Sequence, residues 1–219
     1  MTGPLPLRAD WTALRCAAAG QALARILAAG GGEVTARRRE GGAPCLLLTA
    51  EGGTRQLEAG AVKLLWRGVP LDGEAPDWPR AVDPDAARFF LTARPLSAPA
   101  ELDFDLAARR DAGNPFYRTV YTLKRLRTLC SRPGAEGPAA PKLTEEGRAL
   151  ALAVGRFPAA VRRGAESCDP WPVNRCAVEL AEEARRFLRG GAENLPLLRA
   201  AETALGNALA LLGISVREM

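Results

Sequence analysis

The chain is 219 residues long, 47% hydrophobic and 25% charged, with a formal net charge of +5 and no histidine. The missing histidine removes the usual general base and the commonest metal ligand, and no apolar run reaches the roughly 20 residues of a bilayer span. Charge is uneven: residues 107–219 hold 18 Lys and Arg against 12 Asp and Glu, while residues 1–106 are near neutral, so a bound polyanion would meet the C-terminal half.

Trp11 to Ala29 reads as a helix with Cys16, Ala19, Leu23, Ile26 and Leu27 on one face, ended by Gly30-Gly31-Gly32. Glu33 to Arg38 and Cys45 to Thr49 are short strand candidates either side of Gly41-Gly42, and Ala59 to Trp66 is another short element. Residues 67–84, rich in Pro, Gly and Asp, read as loop. Asp85 to Ala93 reads as a short amphipathic helix, followed by a loop leading to Leu102-Asp103-Phe104-Asp105.

From Asn114 the pattern is helical almost throughout. Asn114-Pro115 is an N-cap followed by Pro at the first helical position, opening a helix to about Cys130. Residues 131–142 read as loop. Thr144 caps the next helix, with Glu145 and Glu146 at its positive end. Asp169-Pro170 introduces another that ends at Gly190-Gly191. The last runs from about Leu195 to Leu212, with Leu198, Ala201, Leu205, Ala208 and Leu212 aligned, and Gly213 stops it. Four such helices imply an antiparallel bundle.

The opening residues Met1 to Leu5 lack the basic and apolar regions of a secretory leader, so a cytoplasmic location is expected. The five cysteines (Cys16, Cys45, Cys130, Cys168 and Cys176) are scattered and odd in number, which fits reduced, mostly buried thiols better than a disulfide framework or a zinc site. No metal or cofactor is expected.

The helix after Asn114 is the most informative segment. Phe116, Val120, Leu123, Leu126 and Cys130 gather on a core face, whereas Tyr117, Tyr121 and Arg125 fall at i, i+4 and i+8 on another, near Arg118 and Arg132. No acid lies between Asp111 and Glu136, but Arg118, Lys124, Arg125, Arg127 and Arg132 do. Tyrosines beside arginines offer stacking platforms for bases next to charge for phosphates. The same pattern also fits a solvated face whose tyrosines pack on a neighbouring helix.

Asn114-Pro115-x-Tyr117-x-x-x-Tyr121-x-x-x-Arg125 resembles the stretch that opens the anticodon-binding domain of bacterial arginyl-tRNA synthetases. The likeness extends back to Asp85-Ala86-Ala87-Arg88-Phe89-Phe90-Leu91 and Leu102-Asp103-Phe104-Asp105-Leu106. It continues through Phe157-Pro158-x-x-Val161 and Glu179-Leu180-Ala181 with Phe187, and closes on Leu205-x-Asn207-x-Leu209-x-Leu211-Leu212-Gly213-Ile214-Ser215-x-x-x-Met219. Order and spacing together cover residues 81–219. The resemblance implies a mainly α fold: an antiparallel helical bundle of the DALR-type anticodon-binding kind, preceded over residues 1–80 by a small α/β remnant of a class I synthetase catalytic domain. It also implies that Tyr117, Tyr121, Arg125 and Met219 lie near the anticodon loop of bound tRNA, and the neighbouring cations Arg118, Lys124 and Arg132 are read as tRNA-binding beside them. Trp171, where the family often has histidine, and Arg175 and Leu188, where aromatics are usual, depart from it.

The N-terminal stretch is similar to two separated pieces of the same synthetases. Thr2-Gly3-Pro4-Leu5 and Arg15-x-Ala17-x-x-Gly20-x-Ala22-Leu23-Ala24-Arg25 resemble the surroundings of the ATP-binding His-x-Gly-His signature, which then falls on Asp10-Trp11-Thr12-Ala13 without either histidine. Val62-Lys63-Leu64-Leu65-x-x-Gly68-x-Pro70 resembles the lead-in to the Lys-Met-Ser-Lys loop, but Leu71-Asp72-Gly73-Glu74-Ala75-Pro76 follows, with neither lysine. Amino-acid activation needs positive or donor groups on the ATP phosphates, and Asp72 and Glu74 would repel them. Gly30-Gly31-Gly32 and Gly52-Gly53 lack the spacing of a phosphate loop. Asp103 and Asp105 read as structural.

The resemblance therefore implies a non-catalytic protein that binds the anticodon region of arginine tRNA, as an adaptor for a partner enzyme or as a regulator. Two alternatives stay open: arginine–tRNA ligase activity retained or completed with a partner chain, and a protein-interaction module that binds no RNA.

Overall fold

Apolar residues recurring every three to four positions make the described chain mainly helical. The computed structural model describes residues 5–6, 10–29, 34–38, 45–50, 53–71, 81–131, 143–190 and 194–216. In chain order the elements are β1 (Leu5–Pro6), α1 (Trp11–Ala29), β2 (Val34–Arg38), β3 (Cys45–Ala50), β4 (Gly53–Glu58), β5 (Val62–Trp66), β6 (Val69–Pro70), β7 (Ala81–Val82) and α2 (Pro84–Leu91). There follow β8 (Ala100–Asp103), α3 (Phe104–Ala108), α4 (Pro115–Cys130), α5 (Glu145–Ser167), α6 (Trp171–Arg189) and α7 (Leu195–Leu211). The expected helix stop at Gly30-Gly31-Gly32, and the acids Asp72 and Glu74, lie outside the described residues. No helix among those described is long and apolar enough to cross a membrane.

Helices α4 to α7 form the bundle, with α6 and α7 each packed against the other three. Val120, Leu123 and Leu126 of α4 are buried with Leu150 of α5, Val173, Ala177, Leu180 and Ala184 of α6, and Leu198, Ala201, Leu205 and Ala208 of α7. Small alanines opposite leucines let the helix axes approach closely. The Asn114 and Thr144 caps form as expected: Asn114 Oδ1 accepts from Phe116 N at 2.9 Å, and Thr144 Oγ1 from Gly147 N at 3.1 Å. Asp169 joins elements: one carboxylate oxygen accepts from Trp171 N at the start of α6 (2.9 Å), the other from Leu96 N (2.8 Å).

Before the bundle, α1 packs on an antiparallel β2-β3-β4 sheet and also on α2, α5 and α7. The expected face is buried at Cys16, Ala19, Leu23 and Ile26, and Trp11, Ala18, Ala22 and Ile26 join the same buried cluster as the bundle leucines. β1 pairs with β7, while β5 pairs antiparallel with β6 and parallel with β8.

Three segments differ from the sequence expectation. Gly53–Glu58 is a strand, and the stretch expected as loop contains β8 and α3. The expected 67–84 loop also contains β6, the second arm of a hairpin turning at Arg67-Gly68, both with positive φ (52° and 78°), and β7, which pairs with β1. Strand pairing is non-local: β8 exists because Ala100 to Asp103 lie against Val62 to Leu65, which no local pattern reports.

One buried side chain organises this region. Arg15, 0% exposed, donates to the carbonyls of Leu91 (3.1 Å), Gly60 (2.8 Å), Pro95 (2.8 Å), Arg94 (3.4 Å) and Ala98. Burial lowers its pKa from the ordinary guanidinium value, and the nearby Asp169 carboxylate opposes that shift. The five carbonyls replace water around the charge and fix the loop between α2 and β8 to the turn before β5.

Candidate nucleic-acid interface

The site is built on the first turns of α4. Asn114 is 1% exposed, and while its Oδ1 caps the helix, its Nδ2 donates to the carbonyls of Arg109 (2.8 Å) and Ala107 (3.3 Å). That double grip fixes where α4 begins and therefore which way its side chains project. Phe116 turns inward, its ring centroid 5.6 Å from that of Phe89 on α2. Val120, Leu123 and Leu126 fill the core, and Thr119 and Thr122 are buried with hydroxyls donating to the carbonyls of Pro115 and Arg118.

The opposite side carries the expected residues. The rings of Tyr117 and Tyr121 are stacked, with centroids 5.9 Å apart and planes at 20°. Tyr117 is half-buried, Tyr121 is 48% exposed, and Arg125 is exposed one turn on. The last turns of α6 run beside them, and a groove of about 310 Å³ opens between the helices. From α4 it is lined by Tyr117, Arg118, Tyr121, Thr122 and Arg125, and from α6 by Arg185, Leu188 and Arg189. Arg118 forms an ion pair with Glu182 of α6 at 3.4 Å. Among the described residues Arg125, Arg185 and Arg189 have no carboxylate within 4 Å.

Tyr117, Arg118, Tyr121 and Arg125 are thus brought together, with Arg118 partly neutralised by Glu182. Lys124 is half-buried on α4 and does not line the groove. Arg132 and Met219 lie outside the described residues. After α7 the Ser215 N–H donates to Asp85 Oδ2 (2.9 Å), while Asp85 Oδ1 pairs with Arg88 (2.6 Å). Sequence reading missed Arg185, Leu188 and Arg189. Their signal was present as a basic and apolar set at i, i+3 and i+4, but which helix face they meet is decided by packing.

The positions aligned with the ATP-binding signature serve the fold. Asp10 Oδ1 accepts from Ala13 N (2.9 Å) at the start of α1, and Trp11 is buried with its ring edge-on to Phe104 (5.5 Å, 89°). Asp103 is structural as expected: it accepts from Asp105 N and Leu106 N at the start of α3, and from Arg67 N and Gly68 N in the hairpin turn. Asp105 pairs with Arg109 and Arg67. Of the described cysteines, Cys16 and Cys176 are buried and Cys130 and Cys168 half-buried.

No protein-family model matches the chain. It is 32% identical over 160 residues to an arginine–tRNA ligase of Kineococcus radiotolerans, covering 64% of this chain and 29% of that protein. It is 30% identical over 152 residues to the arginine–tRNA ligase of Bacillus subtilis, covering 61% and 27%. The match therefore spans less than a third of each ligase. The fold is similar to that of a putative arginyl-tRNA synthetase from Campylobacter jejuni (TM-score 0.59, 18% identity, 74% of this chain and 40% of that one). It is also similar to the arginyl-tRNA synthetase of Thermus thermophilus (TM-score 0.53, 21% identity, 74% and 35%).

Proposed function

We propose, from the premise that this chain belongs to the arginyl-tRNA synthetase family, that it binds the anticodon region of arginine tRNA through the groove between α4 and α6 and performs no ligase chemistry of its own. The observation that carries this reading is the stacked Tyr117–Tyr121 pair facing Arg125, Arg185 and Arg189, three guanidiniums without carboxylate partners among the described residues. An exposed aromatic ring takes an unstacked base, and guanidiniums beside it take the flanking phosphates.

The absence of chemistry rests on residues. Histidine is missing from the chain, and the positions aligned with the ATP-binding signature are an N-cap and a core tryptophan. In this reading residues 81–219 form the RNA-binding unit, residues 1–80 brace it, and the protein serves in the cytoplasm as an adaptor or a sensor of free tRNA. Equilibrium titration with labelled arginine tRNA and an unrelated tRNA tests it. Tighter binding of arginine tRNA, weakening steeply with salt as counterions are released, is expected. Equal affinity for both defeats the specificity, and arginine-dependent exchange of pyrophosphate into ATP defeats the non-catalytic reading.

A further inference from the structure

A second basic and aromatic groove lies on the other side of α6, where its first half packs on α5. Arg156 and Arg163 stand two helical turns apart on α5, about 10 Å at 1.5 Å per residue, with Ala159 and Ala160 as a low floor between them. From α6 it is lined by Trp171, Pro172, Arg175, Cys176 and Glu179, the Arg175 guanidinium lying 5.7 Å from the Trp171 ring centroid and pairing with Glu179 at 2.7 Å, so the free charge comes from α5. Arg156 and Arg163 are exposed and have no carboxylate within 4 Å among the described residues. The groove, about 310 Å³, matches the first in size.

Two unpaired guanidiniums on one helix face, above alanines that add no bulk, suit an extended polyanion better than a compact ion. A guanidinium binds a phosphate by paired N–H donors, and the spacing suits phosphates that are not neighbours on one strand. Trp171, with the Arg175 guanidinium over its ring, adds an aromatic side chain to the lining. An acidic protein segment would also supply charge; two arginine-bearing grooves along one helix favour a single folded RNA that spans both. Arg175 and Arg189 are about 20 Å apart along α6, a span that one folded RNA bridges.

We infer that the Arg156–Arg163–Arg175 groove with Trp171 is a second RNA-backbone site, taking phosphates of the same RNA whose loop occupies the first groove. This rests on the RNA-binding reading above, and the test separates the two. The full chain is titrated with labelled tRNA as wild type, as Arg156→Ala/Arg163→Ala, as Arg156→Lys/Arg163→Lys and as Tyr121→Ala. Both arginines are exposed, so melting temperature should stay unchanged.

The double alanine variant should bind roughly five- to thirtyfold more weakly and lose about 1.5 from the slope of log K against log salt, because about two phosphate contacts are gone. The double lysine variant should recover most of the affinity. If Tyr121→Ala weakens binding and the double alanine variant binds as wild type, the second site is overturned and the first groove stands. If wild type binds no RNA even at low salt, both readings fall. If RNA binding is unchanged but an acidic protein is captured by wild type and lost by the double alanine variant, the groove is a protein site and the inference is overturned.

Discussion

Tyr117 and Tyr121, one turn apart on α4, stack ring on ring at 5.9 Å and 20°, with Tyr121 the more exposed of the two. The stack fixes the rotamer of each side chain, so a base that continues it onto Tyr121 meets a pre-formed platform and orders little on binding. The arginines around the groove supply charge, and the tyrosines give it a defined geometry.

Removing that platform separates stacking from charge. Tyr121→Ala should weaken tRNA binding by about 1–3 kcal/mol, the cost of one lost base stack, while Tyr121→Phe should stay close to wild type. Arg125→Ala should weaken all RNAs alike and lower the salt slope by about one. Fluorescence anisotropy at several salt concentrations reads both effects, and equal losses for Tyr121→Phe and Tyr121→Ala would contradict a stacking role.

Asn114 couples the fold to the site. Asn114→Ala removes the α4 cap, worth about 1 kcal/mol, and leaves the carbonyls of Ala107 and Arg109 without their side-chain donor, adding about 1–2 kcal/mol. Thr144→Ala removes only a cap on an exposed residue. Denaturant midpoints should therefore fall further for Asn114→Ala, and RNA affinity should fall for that variant alone.

The loop between α2 and β8 is tied to α1 and to the turn before β5 through Arg15. Arg15→Met keeps a long apolar stem but removes the side-chain donor from five carbonyls, so a loss of about 3 kcal/mol is expected. Gly60→Ala strikes the same place, because its new Cβ would sit 2.3 Å from the Ala98 carbonyl oxygen. Thermal melts of both variants should show lowered midpoints, and a near-neutral Arg15→Met would contradict the bracing role.

Burial pushes the Cys176 thiol up to about 11, because the thiolate is poorly solvated there. Alkylation of Cys176 by iodoacetamide, followed on its own peptide, should therefore rise with a midpoint near pH 11 in the native protein, and near the ordinary thiol value once it is unfolded. The unfolded chain ionises first, so this thiol makes native stability fall as pH climbs through that window. The fall should shrink in Cys176→Ala.

The bundle was legible because its signals are local: caps at Asn114 and Thr144, breaks near Gly190 and Gly213, and leucines in register on α7. Strands β4 and β8 were not, since Gly53–Glu58 has no apolar alternation and Ala100–Asp103 gains its identity only from Val62–Leu65. The site divides likewise. Tyr117, Tyr121 and Arg125 share a face of one helix and can be read from spacing. Arg185, Leu188 and Arg189 belong to a second helix whose alignment with α4 is a tertiary fact, as is the Arg118–Glu182 pair.

In the function proposed above, the α4–α6 groove holds the anticodon loop. A photoreactive phenylalanine analogue placed at Tyr121 and irradiated with bound arginine tRNA tests it most directly, by mapping the crosslinked nucleotides. Crosslinks confined to the anticodon loop and its flanking stem are predicted. Crosslinks concentrated in the acceptor end, or no crosslink from a tRNA that binds and saturates, would contradict it.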